Sequence, residues 1–222
     1  MPEPNPRLLL VEGPDDKHVV QHLMRVHEVP LGFEISEAGG IRGVLDAIPV
    51  QLQVDGRITL GVLVDANDDI ASRWQSLSDV LREAGYRVPK TPSPAGIVID
   101  GPDAYTPKIG VWLMPDNEAA GELEDFVRDL VPQTDPVWPR AVDYVDSIST
   151  TDRQFAERKE MRAKLHAWLA VRQEPRLMGA AIGRGDLDAQ APNATALIGW
   201  LRRVFGASSA GNVQTTSPSV RE

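Results

Sequence analysis

Acidic residues stand where the apolar runs of this chain end. Leu8 to Val11 is one such run, and Glu12 follows it at once. Ile58 to Val64 is another, and it ends in Asp65-Ala66-Asn67-Asp68-Asp69. Ile109 to Met114 leads into Pro115-Asp116-Asn117, with Glu122 and Glu124 just beyond. Short apolar runs of this kind suit strands buried on both faces. In a parallel sheet the carboxyl ends lie along one edge, so acids far apart in sequence converge there. Such oxygen ligands suit Mg2+ or Mn2+, which take carboxylates, water and substrate phosphate. The competing reading is that each acid merely caps the helix after it. A lone acid favours the cap. Acids at successive strand ends favour a metal, because the cluster is costly without a cation.

The elements that position these acids follow from periodicity. After Glu12, Gly13 gives the chain a turn that would let substrate approach closely, and Pro14 suits the first turn of a helix. Asp15 and Asp16 fall in that first turn, at the positive end of the helix dipole. Asp16, Val19, Val20, Leu23, Met24 and His27 share one helical face. Phe33 to Ile35 reads as a strand, and Ile41, Val44, Leu45 and Ile48 as a helix stopped near Pro49. Ile70, Trp74, Leu77 and Leu81 mark a third helix ending at Gly85. Ile97 to Ile99 is a further strand, and a helix is expected over Glu118 to Leu130. Strands alternating with helices predict an α/β fold, a mainly parallel sheet with helices on both faces.

From about Gln133 the pattern changes. A Pro- and Trp-bearing connector precedes a helix from about Arg153 to Arg172, then a Gly/Pro-rich segment and a last helix near Thr195 to Phe205. The expected organisation is an α/β domain over 1–132, a helical extension packed on it over 133–206, and a disordered tail over 207–222.

Composition narrows the function classes. The chain has 222 residues, 42% of them hydrophobic, enough for a sizeable core. It has no cysteine, which excludes disulfides and thiol chemistry and fits a cytoplasmic protein. No run approaches a membrane span, so no membrane association is expected. A net charge of −9 argues against a large basic surface for nucleic acid. It does not argue against a nuclease, whose acidic site is offset by its ions. His18 and His22 are spaced like helical zinc ligands but lack a third ligand, and read as surface histidines flanking a core stripe. No GxxxxGK[ST] phosphate loop is present, and Gly183-Arg184-Gly185 reads as a turn. Trp112, Trp138, Trp168 and Trp200 read as core.

A strand ending in Glu-Gly, a helix, and a strand ending in an Asp-x-Asp-like group resemble the Toprim domain of topoisomerases, primases and overcoming-lysogenization-defect (OLD) nucleases. The longer pattern VEGPDDKHV, LVDAND, GVWLMPDN, GELEDFV, KLHAWLA and WLRRVF is similar to a bacterial and archaeal family of Toprim-fold proteins related to the OLD-type nucleases. That resemblance spans Leu8 to Phe205. It implies that Glu12 acts in acid–base chemistry or holds metal, and that Asp65 is the first acid of the Asp-x-Asp pair. The second falls on Asn67, a departure; Asn67 still offers an oxygen, and Asp68 or Asp69 could supply the missing charge. Asp116 and Glu124 are candidates for a third acidic element, with Glu122 as competitor. The resembling nucleases also use a lysine. Helical phase sets Lys164 at the edge of the stripe Met161, Leu165, Trp168 and Leu169, whereas Lys159 points away. Lys164 would either snorkel to solvent or stabilise charge on a transferring phosphate.

Two functions are therefore expected to compete. One is an Mg2+- or Mn2+-dependent phosphoryl-transfer enzyme, a nuclease acting on DNA or RNA, which it would bind weakly alone. The other is a non-catalytic Toprim-like module that binds a nucleotide or a partner protein, such as an ATPase or phage-defence component. Strand synthesis or passage would need a further domain to grip DNA.

Overall fold

The computed structural model describes residues 5–30 and 32–206; the tail expected to be disordered lies outside them. Five strands, β1 (Arg7–Val11), β2 (Glu34–Glu37), β3 (Thr59–Asp65), β4 (Ile97–Ile99) and β5 (Lys108–Met114), form one sheet in the order β2-β1-β3-β5-β4. All pairings are parallel except β4 with β5, which is antiparallel. In β1, β3 and β5 nearly every residue is buried. They occupy the centre of the sheet, where both faces are covered, as continuous apolar runs require.

Alternate residues of these strands feed two separate cores. Leu8, Leu10, Leu60, Val62 and Val64 face α2 (Ile41–Leu52) and α3 (Ile70–Glu83). Leu9, Val11, Leu63, Trp112 and Met114 face α1 (Pro14–Val26) and the helices of the C-terminal region. Those helices are α4 (Leu123–Arg128), α5 (Trp138–Ser147), α6 (Glu160–Ala170), α7 (Met178–Arg184) and α8 (Pro192–Phe205). Helix α8 lies directly on β3 and β5 because two strand positions are glycine. A Cβ on Gly61 would stand 2.7 Å from the Phe205 ring, and one on Gly110 would strike Val204. Trp112, Trp168 and Trp200 are fully buried, in keeping with a core role.

Several element boundaries differ from those expected. The second helix continues past Pro49 to Leu52. Pro49 sits in its last turn, where a ring displaces one hydrogen bond without breaking a long ladder. Helix α4 starts only at Leu123, because residues 115–122 form a loop tied at Gly121 to the loop after β3. The connector contains α5, with Pro139 in its first turn, and the Gly/Pro-rich segment contains α7. The glycines of α7 let it press on α1: a Cβ on Gly179 would stand 2.7 Å from His18 O, and one on Gly183 2.6 Å from His22 Nδ1. His18 is exposed, whereas His22 is half-buried under α7. Among the described residues, no helix is long and apolar enough to cross a membrane.

Candidate metal centre

The carboxyl ends of β1, β3 and β5 meet at one edge, and backbone hydrogen bonds set the acids there. Glu12 leaves β1 and its Oε1 accepts from Asp65 N–H at 2.9 Å, tying the ends of β1 and β3 together. Asp65 Oδ1 in turn accepts from Leu123 N–H at 2.8 Å, at the start of α4. Asn67 and Gly121 exchange both backbone bonds at 2.8 Å, so the loop after β5 is fastened to the loop after β3. Asn67 adopts φ +54°, a left-handed conformation asparagine tolerates. In α1 and α4 the acid at the third helical position reaches back to the helix start. Gly13 N–H donates to Asp16 Oδ2 and Glu122 N–H to Asp125 Oδ2, both at 2.9 Å. Each is the half of a capping box that runs from the third helical residue to the N-cap N–H; neither N-cap side chain completes it. They fix Asp16 at the tip of α1 and Glu122 at the tip of α4.

Asp16 is the acid that sequence reasoning treated only as a helix-tip carboxylate. It is 6% exposed, and its Oδ1 has no hydrogen-bond partner. Burial pushes its carboxyl up to about 7, Glu12 and Glu124 adding repulsion against the bond from Gly13. Asp65 is pushed up to about 8, first by burial and then by Asp16, Glu12, Glu122 and Glu124. The spacing that could have flagged Asp16 is Glu12-x-x-x-Asp16, a strand end and a first-turn position bridged by Gly-Pro.

The other candidates are placed less centrally. Asp69 is an exposed N-cap of α3, accepting from Ala71 and Ser72 N–H at 2.9 and 3.1 Å and from Ser72 Oγ at 2.6 Å. Its carboxyl is held below the usual range by those Ser72 bonds. Asp116 accepts from Glu118 and Ala119 N–H at 3.0 and 2.7 Å, closing its own turn. Asp68 is exposed. None of the three is among the acids whose charge is felt at Asp65. Asp69 follows the capping reading, whereas Asp116 closes a turn and caps no helix, since α4 begins only at Leu123. Gly13 has an extended φ of −150°, open to any residue, and a Cβ there would meet only Asp16 Oδ2 at 3.7 Å. Its contribution is its N–H rather than conformational freedom.

Cations also reach the edge, and Lys164 is not one of them. Lys164 Nζ lies 2.8 Å from Asp146 Oδ1 and 2.6 Å from Glu160 Oε1, inside the α5–α6 contact. Its side chain is 13% exposed; burial alone would lower its pKa, but these two carboxylates outweigh it and hold the value above that usual for lysine. Lys159, expected to point away, instead contacts Glu122 Oε2 at 2.6 Å. The helical wheel misplaces it because residues 157–159 form a 3-10 turn ahead of α6. Arg162 bridges Glu124 Oε1 at 3.1 Å and Asp15 Oδ2 at 3.3 Å. Asn67 is assigned the amide orientation that satisfies both neighbours, with its nitrogen 3.1 Å from Glu122 Oε1 and its oxygen against Arg73. In that orientation the oxygen faces Arg73 and the amide nitrogen faces the acids. Among the described residues, no three acidic or histidine side chains stand close enough to hold an ion without moving.

A mainly parallel sheet with Glu12-Gly13 leaving its first strand and Asp65 ending its third is a Toprim-like α/β fold. Residues 6–206 match the family described as Protein of unknown function (DUF3226), and the chain belongs to that family. Its fold is similar to the C-terminal region of the Burkholderia pseudomallei OLD protein. The two share 13% identity at a TM-score of 0.52, over 90% of this chain and 98% of that one. The C-terminal region of the Xanthomonas campestris pv. campestris OLD protein matches at 15% identity and a TM-score of 0.47, over 90% and 96%. No curated protein matches significantly. At these identities the likeness is one of fold.

Proposed function

We propose that the acidic edge binds Mg2+ or Mn2+ and that the protein is a metal-dependent phosphoryl-transfer enzyme, a nuclease acting on DNA or RNA. The observation that supports this reading is Asp16, a buried carboxylate with an unpartnered oxygen beside Glu12 and Asp65. Gathering these acids away from water is unfavourable, and a divalent cation reverses that balance. The donor set is hard oxygen, which fits either ion. Glu12, Asp16 and Asp65 would hold the cation after side-chain rotation, with Glu122 and Glu124 at the rim. Bound there, it would polarise a phosphodiester and lower the pKa of nearby water.

The chain's own residues supply the rest. Asp65 N–H holds Glu12 by Oε1, leaving Oε2 as the oxygen able to take a proton from water. Lys159, Arg162 and Arg73 put positive charge beside the site, available to a substrate phosphate. With a net charge of −9, binding to nucleic acid alone would be weak, and a partner protein would deliver the substrate. The test is cleavage of supercoiled plasmid and labelled single strands in Mn2+. Glu12→Gln keeps the bond to Asp65 and should lose about 10²-fold or more if Glu12 moves a proton. Equal cleavage by both proteins would place the activity elsewhere.

A second reading, a non-catalytic module binding a nucleotide or partner through the same edge, draws on one observation. Glu122, Glu124 and Asn67 are already matched by Lys159, Arg162 and Arg73. Absence of cleavage with Mn2+ on every substrate would favour it.

A further inference from the structure

The carboxylates of the acidic edge fall into two sets that keep different company. Glu122 and Glu124 are met by side chains: Lys159 Nζ and the Asn67 amide on Glu122, Arg162 Nη1 on Glu124. Glu12, Asp16 and Asp65 are met, among the described residues, only by backbone N–H groups, those of Asp65, Gly13 and Leu123. Asp16 Oδ1 receives nothing, although the side chain is more than nine-tenths buried. Opposite charge is therefore supplied on one side of the site and lacking on the other.

The Asn67 position sharpens this division. An asparagine removes a negative charge where an acid would help hold a further ion, and Arg73 adds a positive one against its oxygen. Lys159 and Arg162 stand three residues apart at the start of α6, so both are carried to the edge by one turn of chain. A second divalent cation beside Glu122 would have to displace Lys159 and stay close to two guanidinium groups. Like charges at such range repel strongly wherever water is partly excluded.

We infer that this site takes a single divalent cation, on the Glu12–Asp16–Asp65 side, and that Lys159 and Arg162 fill the place of a second ion on the Glu122–Glu124 side. The inference rests on the metal-binding reading above and adds to it a stoichiometry and a division of labour. A phosphodiester would then meet one metal ion and fixed side-chain cations, rather than a pair of ions.

The experiment titrates Mn2+ into the full chain by calorimetry, with electron paramagnetic resonance to detect coupling between neighbouring ions. Wild type should bind one ion and show no coupling. Asp16→Asn keeps the acceptor for Gly13 N–H and should weaken that ion by at least about 10- to 100-fold, the range that loss of even an outer partner costs a metal site. The double variant Lys159→Gln, Arg162→Gln removes the fixed charges from half-exposed side chains and should admit a second, coupled ion. Two ions in wild type would overturn the inference while leaving the metal reading intact. A double variant that still binds one ion with unchanged affinity would overturn it as well. No binding at all to wild type would overturn the metal reading on which it rests.

Discussion

Asp65→Asn separates the charge of the acidic edge from its shape. The amide keeps an oxygen for Leu123 N–H, the bond that fixes the start of α4. What it removes is a carboxyl whose pKa rises from 3.8 to about 8, through burial and then the repulsion of four neighbouring acids. Because the folded value is raised, the folded chain retains a proton that the unfolded chain releases. Stability is full below the unfolded pKa of 3.8 and is lost as pH rises toward the folded value near 8. Each pH unit in that window is worth about 1.4 kcal/mol, so the ceiling between pH 4 and 7 is roughly 4 kcal/mol. The site opens along a sheet edge, and water and side-chain adjustment reduce this to about 1–3 kcal/mol. Urea unfolding in chelator from pH 4 to 8 should show wild type losing stability and Asp65→Asn losing less by that amount. With Mn2+ added, wild type should gain stability by mass action and the variant little. Parallel wild-type and variant curves across this window would refute the account of why the edge is strained.

Two further substitutions test the placement of individual residues. Lys164→Met should destabilise the chain by about 1–2 kcal/mol, since its partners Asp146 and Glu160 are partly solvated, and should leave Mn2+ affinity unchanged. Melting curves and calorimetry decide this, and a fall in Mn2+ affinity would contradict its position in the α5–α6 contact. Asn67→Asp would set a carboxylate against Glu122 Oε1 where an amide now donates. The metal-free protein should lose about 1 kcal/mol; a higher melting temperature in chelator would show that attraction to Arg73 prevails.

The central strands were legible because burial on both faces leaves an unbroken apolar signature, as in Leu8 to Val11 and Ile109 to Met114. The acids after those strands were legible for the same reason. Asp16 was hidden because a first-turn aspartate looks the same whether it only caps a helix or also faces a buried cluster. The cations were hidden more deeply. Helical phase counted back from Leu165 and Trp168 assumes one continuous helix, and the 3-10 turn at 157–159 rotates Lys159 onto Glu122 instead. Helix α5 was obscured by Pro139, which is tolerated in a first turn, and α7 by glycines that serve its close approach to α1. The helix expected from Glu118 fails because Asn67 and Gly121 pair across the edge, a contact between distant segments that no local pattern reports.

The seat of α8 on Gly61 and Gly110 bears on how the chain is made. Arg7, at the start of the first strand, donates to the carbonyl of Phe205, 198 positions later. The face of the sheet carrying Leu9, Leu63 and Trp112 is finished by Trp200, Val204 and Phe205. During synthesis those strands emerge long before the helix that covers them. A nascent chain thus carries a greasy, half-roofed sheet from the emergence of β5 until α8 follows, the condition under which chaperones are recruited and aggregation competes with folding. Closure of the acidic edge and closure of this roof both wait on the same late-arriving third of the polypeptide.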